Sequence, residues 1–284
     1  MSSIQLTVVG LGRMGANIAR RIQSHAQSPV NIAVFDLNPE TVKVVAAGGF
    51  TPLASLADLS QFNDATNPQF VWVMVPAEVT RQTIHEVAQH LAPGSTIIDG
   101  GNTFYRDDIA NAAHLERKGI NFVDVGTSGG VYGLERGYSL MIGGQSDVVE
   151  RLTPIFKAMA PGVESAERTP GRSGEPANSE YGFLHCGPVG SGHFIKMVHN
   201  GIEYGAMAAY AEGLNLIHAA AQGIKHPTAV GDHVETKYTF DMEEVTEVWR
   251  RGSVVASWLL DLTATAYTED PDLAGYEGSV SDSG

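Results

Sequence analysis

The feature that most restricts the fold of this chain is the alternation of short β-branched runs with longer amphipathic stretches through its first half. The runs fall at 4–9, 31–35, 70–75, 95–98 and 121–125, and apolar residues recur at helical spacing between them, as in 78–91 and 106–118. Alternation of this kind builds βαβ units and predicts a parallel sheet with helices on both faces. Several runs end on turn-forming or polar residues: Gly10, Asp36, Pro76, Asp99-Gly100-Gly101 and Gly126. In doubly wound sheets those carboxyl ends are where ligands sit.

The first run leads into Gly10-Leu11-Gly12-Arg13-Met14-Gly15, a G-x-G-x-x-G that opens a helical stretch at 16–22. In that context Gly10 makes the tight turn, Gly12 lets backbone approach a pyrophosphate, and Gly15 permits close helix–strand packing. The helix N-terminus offers its amides to the phosphates. The second run closes on Asp36, 21 residues after Gly15. An acid there bonds the adenosine ribose hydroxyls and repels a 2′-phosphate. No arginine follows it in Leu37-Asn38-Pro39, so NAD rather than NADP is the expected cofactor. The plainer alternative makes Asp36 a cap for the helix that begins at Pro39.

The expected fold class is α/β, an N-terminal doubly wound Rossmann domain followed by an all-helical C-terminal domain. A further strand at 140–142, followed by Gly143-Gly144, and a helix at 147–159 complete the first domain, residues 1–165. Residues 160–190 turn rich in Gly, Pro, Ser and charge, so 166–189 reads as a loop or linker. From 190 to 284 the pattern is helical, with helices expected at 193–222, 242–251 and 254–268. The polar tail 279–284 supplies no closing element, so the helical domain either stops short there or ends differently.

Acidic residues outnumber basic ones 32 to 18, a net charge of −14. That balance argues against binding nucleic acid or an anionic membrane, and an anionic substrate must be drawn in by local cations. A single cysteine, Cys186, allows no intrachain disulfide and reads as a small buried thiol. No apolar run approaches a bilayer span, and no basic segment opens the N-terminus, so a cytoplasmic protein is expected. His85 and His90 are one residue too far apart for the H-E-x-x-H pattern, and no metal site is expected.

The chemistry concentrates at 190–205. If that stretch is helical, Lys196, His199, Asn200 and Glu203 fall at i, i+3, i+4 and i+7 and share one face. Their neighbours Phe194, Ile195, Met197, Val198 and Ile202 are apolar, which predicts a mostly buried helix whose polar stripe lines a cleft. The alternative is a solvated helix face. A partly desolvated lysine can have its pKa lowered to serve as a base, and a nearby carboxyl can be raised to serve as an acid.

The stretch KMVHNGIEYG at 196–205 closely resembles the catalytic helix of the 6-phosphogluconate dehydrogenase family. Gly10 to Gly15, Asp99-Gly100-Gly101-Asn102 and the segment from Val125 to Gly133 agree with it. The Asp36 ending resembles the shorter, NAD-using bacterial branch. The resemblance implies oxidative decarboxylation of 6-phosphogluconate to ribulose 5-phosphate and CO2. Lys196 would take the C3 hydroxyl proton, and Glu203 would later protonate C1. Asn102, Ser128, Gly129, Gly130, His199 and Asn200 would hold substrate hydroxyls and carboxylate, and Tyr204 the phosphate. Met14 and Val75-Pro76-Ala77 would flank the nicotinamide and its ribose, with Asn102 beside them, while Leu11 and Arg13 belong to the glycine turn. No metal is then needed, since a lysine ammonium can polarise the ketone.

The family's G-x-G-(Lys/Arg)-Trp-Thr segment and a later arginine-containing stretch, which help anchor the sugar phosphate, are not found in this sequence. The cations left in the helical half are Arg250 and Arg251, on a helix that also reads as merely solvated. One alternative is another β-hydroxyacid dehydrogenase, acting on 3-hydroxyisobutyrate or a small aldehyde acid; the His199 and Glu203-Tyr204 additions argue against it. An NAD sensor without catalysis is the alternative of another class. The apolar stretch 206–221 needs covering, which predicts a homodimer or homotetramer.

Overall fold

The computed structural model describes residues 3–64, 66–227 and 233–276. The polar tail 279–284 lies outside them. The chain divides into two compact units, one reaching Val198 and a second beginning at His199.

In the first unit, strands β1 (Ile4–Val9), β2 (Val30–Phe35), β3 (Thr51–Pro52), β4 (Phe70–Val73), β5 (Thr96–Asp99) and β6 (Asn121–Ser128) are parallel. Helices α1 (Arg13–His25), α2 (Pro39–Ala46), α3 (Ala77–Val87) and α4 (Tyr105–Glu116) connect them. The spatial order β3-β2-β1-β4-β5-β6 reverses direction between β1 and β4. That switch point places the glycine turn after β1 at the mouth of a crevice.

Two cores form because successive strand side chains leave on opposite faces. Leu6, Val8, Ile32, Val34 and Trp72 enter one core, together with Ile18 and Ile22 of α1 and Val42 and Val45 of α2. Val9, Ala33, Phe35, Val71 and Val73 enter the other, with Ile84 and Val87 of α3 and Leu115 of α4. The doubly wound class expected from the alternation is what the chain adopts.

Beyond β6 the chain continues through α5 (Gly133–Arg136), β7 (Ser139–Gly144), α6 (Ser146–Met159), α7 (Asn178–Tyr181) and β8 (Phe183–Gly187). Here the sheet departs from the all-parallel expectation, because β7 runs antiparallel to β6. The short stretch between Ser128 and Ser139 cannot span a crossover back to the start of β6. Strand β8 falls inside the segment read as linker, yet it pairs in parallel with β7 and buries Phe183. Arg21 of α1 is buried and donates to the carbonyls of Leu134, Met159 and Ala160. It thereby satisfies the C-terminal ends of α5 and α6, where a cation is favoured.

Helix α8 (Ser191–Ala219) begins in the first unit and continues into the second. The second unit adds an antiparallel pair, β9 (Ile224–Pro227) with β10 (His233–Thr236), then α9 (Met242–Arg250) and α10 (Trp258–Glu269). The helical character expected there is present, with that one pair interrupting it. Its small core holds Leu214, Met242 and Tyr267. Residues 254–257, expected as helix, lie ahead of α10, which starts after Ser257 caps Leu260 N. Among the described residues no helix is long and apolar enough to cross a membrane.

Candidate active site

The glycine turn has the shape a dinucleotide needs. Gly10 sits at φ +90°, and a Cβ there would run into the Met74 carbonyl. A Cβ on Gly15 would meet the Gly10 carbonyl, whereas one on Gly12 would have no atom within 4 Å. Space over Gly12 and contact under Gly15 are what let phosphates approach while helix and strand stay packed. Helix α1 opens with neither a side-chain cap nor an acidic residue, leaving its dipole for an anion.

Asp36 Oδ2 accepts from Leu11 N at 2.7 Å and its Oδ1 from Asn38 N at 2.9 Å. Asn38, not Asp36, caps α2 by accepting from Glu40 N. The plainer alternative for Asp36 is thereby replaced by a tie between the ends of β1 and β2. A carboxylate has further lone pairs for ribose hydroxyls. Leu11, Gly12, Arg13, Asp36 and Val131 help line a cleft of about 760 Å³. These residues fit the adenosine end of a dinucleotide. Met14 packs partly buried against the α1-side core, and Pro76 of Val75-Pro76-Ala77 is the N-cap of α3.

The second feature is Lys196. Its residue is 9% exposed, and its Nζ donates to Asn102 Oδ1. Asn102 lies in the turn after β5, shaped by the buried Asp99, which accepts from Gly101 N at 3.0 Å and from Thr103 Oγ1 at 2.7 Å. On β6, Gly126 has no side chain where a Cβ would overlap Lys196 Cβ. Lys196 and Asn102 therefore meet at the carboxyl ends of β5 and β6. Ser128 ends β6, and Gly129 and Gly130 turn the chain away at φ +132° and +53°.

Below Lys196 lies a cluster that motif reading missed. Asp124 of β6 accepts from Gly190 N at 2.7 Å and His193 N at 2.9 Å. His193 Nδ1 donates to Asp108 Oδ2 of α4 at 2.7 Å. Burial alone would pull the His193 imidazole down. The Asp108 hydrogen bond and the charges of Asp108, Asp99 and Asp124 outweigh it and lift the pKa to about 9. Asp108, Asp124 and His193 form the one group of three possible metal-binding side chains among the described residues. Both Asp124 oxygens and one Asp108 oxygen already accept hydrogen bonds, so the set reads as a polar network and not as an open ligand sphere. The signal was present in sequence as a lone Asp within the apolar run that opens β6, but one polar residue in a strand is easily passed over.

His199, Asn200, Glu203 and Tyr204 belong to the second unit. There His199 Nδ1 lies 3.2 Å from Asn200 Oδ1 and 3.7 Å from Glu203 Oε2, on the α8 surface. The expectation of a mostly buried helix is not met in the single chain. Val198 is 47% and Ile202 71% exposed, and Phe194, Ile195 and Met197 are exposed as well. The physical reason is that the first turns of α8 press on the sheet through Gly192, His193 and Lys196, which turns their apolar neighbours outward. Arg250 pairs with Glu247 and Asp261, and Arg251 with Glu247. Cys186 is half-buried rather than buried; burial pushes its thiol up. His85 stacks on His114 with ring centroids 4.2 Å apart.

A glycine turn at the switch point and an acid closing β2, with a buried lysine at the carboxyl ends of β5 and β6, mark a dinucleotide-binding α/β domain. Residues 5–167 match the NAD binding domain of 6-phosphogluconate dehydrogenase, and 192–232 match the 6-phosphogluconate dehydrogenase C-terminal domain. A Haloferax volcanii protein named 6-phosphogluconate dehydrogenase, NAD(+)-dependent, decarboxylating, is 35% identical over 94% of this chain and 76% of its own length. Plasmodium falciparum 6-phosphogluconate dehydrogenase, solved with its cofactor NADP+ and with its substrate, shares the fold. Its TM-score is 0.70 at 24% identity, over 93% of this chain and 50% of that one. Salmonella typhimurium 3-hydroxyisobutyrate dehydrogenase also shares it, with TM-score 0.68 at 21% identity over 94% and 79%. The chain belongs to the 6-phosphogluconate dehydrogenase family. It is an enzyme of that family.

Proposed function

We propose that the protein catalyses NAD-dependent oxidative decarboxylation of 6-phosphogluconate to ribulose 5-phosphate and CO2. The observation that carries this is Lys196, buried at the carboxyl ends of β5 and β6 with its amine on Asn102. In its neutral form the amine takes the proton of the C3 hydroxyl. A bound nicotinamide supplies the hydride acceptor. The β-keto acid then loses CO2 while the Lys196 ammonium holds the ketone oxygen. Glu203, seven residues along α8, protonates C1 of the enediol. Asn102, Ser128, Gly129, Gly130, His199 and Asn200 hold hydroxyls and carboxylate, and Tyr204 meets the phosphate. Selection of NAD rests on Asp36, whose carboxylate would repel a 2′-phosphate.

The test is NADH formation at neutral pH with 6-phosphogluconate, with D-gluconate and NADP in parallel. Turnover with 6-phosphogluconate and NAD, and at least about tenfold less with either control, is the expected result; a ratio of that size corresponds to about 1.4 kcal/mol. Equal rates with gluconate or a short hydroxyacid would keep the Lys196 chemistry and discard the substrate.

We also infer a homo-oligomer. Phe194, Ile195, Met197, Val198 and Ile202 form a contiguous apolar surface on α8 of a kind that soluble monomers seldom leave bare. Sedimentation at micromolar concentration is expected to give a dimer or tetramer, and a monomer there would remove the inference.

A further inference from the structure

We propose that Asp108, Asp124 and His193 form a buried clamp that sets where Lys196 stands. All three are positioning residues, and the proposal rests on Lys196 being the base in the reaction above. Asp124 is fully buried on β6, and its two oxygens accept from Gly190 N and His193 N. A carboxylate at that point caps the first turn of α8 and answers its dipole. His193, 3% exposed, reaches the other way and donates to the fully buried Asp108 of α4.

One arm thus ties α8 to β6 and the other ties it to α4. The two partners of the Lys196–Asn102 hydrogen bond lie on the segments being tied. Lys196 is three residues past His193, and Asn102 is six residues before Asp108 in the turn that leads into α4. A shift of α8 against α4 would change the Lys196–Asn102 separation before it changed anything at the glycine turn.

Volume alone would be served by leucine at these positions, because buried ion pairs seldom stabilise a fold more than apolar residues of similar size. What the polar set adds is direction. A hydrogen bond fixes distance and angle, whereas an apolar contact tolerates sliding. The Asp108 hydrogen bond and the neighbouring carboxylates lift the His193 pKa to about 9 while burial lifts that of Asp108 to about 7, so a proton stays between the two side chains at neutral pH.

The test uses the full chain and three variants: His193→Asn, His193→Gln and the double variant Asp108→Leu/His193→Leu. An Asn side chain can place its amide N–H near the position of Nδ1, and a Gln side chain reaches the Nε2 position instead. The Leu pair removes both partners of that hydrogen bond while Asp124 keeps its two backbone donors, so it carries the test if His193→Gln melts early. One readout is independent of any substrate, the rate of reductive methylation of Lys196 by formaldehyde and a borane, followed by peptide mass spectrometry against the exposed Lys43. The others are NADH affinity, and kcat and KM for 6-phosphogluconate.

In the Gln and Leu-pair variants Lys196 labelling is expected to rise about tenfold, the factor for losing roughly one hydrogen bond. Their kcat should fall about 100-fold, as for a catalytic group misplaced by about an ångström. KM and NADH affinity should stay near wild type. His193→Asn should restore both the labelling rate and kcat. Native labelling in the Leu pair would show that the Asp108–His193 arm only fills space and would overturn the proposal. Should the wild type prove inactive with 6-phosphogluconate, the labelling result decides alone, and only the substrate assignment falls.

Discussion

Replacing Lys196 by methionine is expected to lower kcat by about 10³-fold while leaving NADH affinity within about twofold of wild type. Methionine keeps most of the side-chain volume beside Gly126 and removes only the amine. Loss of a positioned general base accounts for about 10²–10⁴-fold, and the upper part of that range applies if the same nitrogen also polarises the ketone. The cost in stability is small by comparison, about 1 kcal/mol for the hydrogen bond to Asn102. The glycine turn and Asp36 lie on other elements, so cofactor binding reports an intact domain. Lys196→Arg is the sharper variant. Arginine keeps a cation and a donor near Asn102 but cannot give up its proton at neutral pH. It should be nearly as inactive as methionine. Turnover of Lys196→Arg near the wild-type rate would mean that charge suffices there and that another group is the base.

The two halves of the site differed in how readable they were. The cofactor half was local. A strand, a glycine turn and an acid closing the next strand all lie within the first 36 residues, and β1 spans the run read from sequence, Ile4–Val9. Each residue there works on backbone it is bonded to or pairs with directly. The lysine half depends on contacts far apart in the chain. Asp108 meets His193 across 85 positions and Asp124 meets Gly190 across 66, and no periodicity encodes such pairs. The apolar residues of α8 carried a burial signal without saying what would bury them, so exposure in the single chain had no counterpart in the pattern. Strand β8 was hidden for a simpler reason. Only Phe183 of its five residues is buried, and the Gly- and Pro-containing sequence on both sides looks like loop.

Gly126→Ala should separate the placement of Lys196 from its chemistry, with an expected loss of about 100-fold in kcat. Gly126 is not among the glycines with positive φ, so alanine meets no backbone objection there, and the effect is one of space. The new methyl would overlap Lys196 Cβ and lie 2.9 Å from its Cγ and 3.0 Å from the Gly192 carbonyl oxygen. A flexible side-chain end could swing aside, but Lys196 Cβ and Gly192 O move only with the helix. Gly192 has no slack to offer, since a Cβ there would itself clash with the Met141 carbonyl of β7. The start of α8 must therefore back away from β6, at a cost of about 1–3 kcal/mol in stability. A displacement near an ångström costs about 10²-fold when a reacting group is carried with it. KM for NAD should hold, because the glycine turn follows β1, which β4 and β5 separate from β6 in the sheet. The deciding comparison is a double-mutant cycle. On a Lys196→Met background Gly126→Ala should cost almost nothing more in residual turnover, as expected for two changes acting on one group. Independent, multiplying losses would mean that Gly126 serves the substrate directly and that the position of Lys196 is set elsewhere.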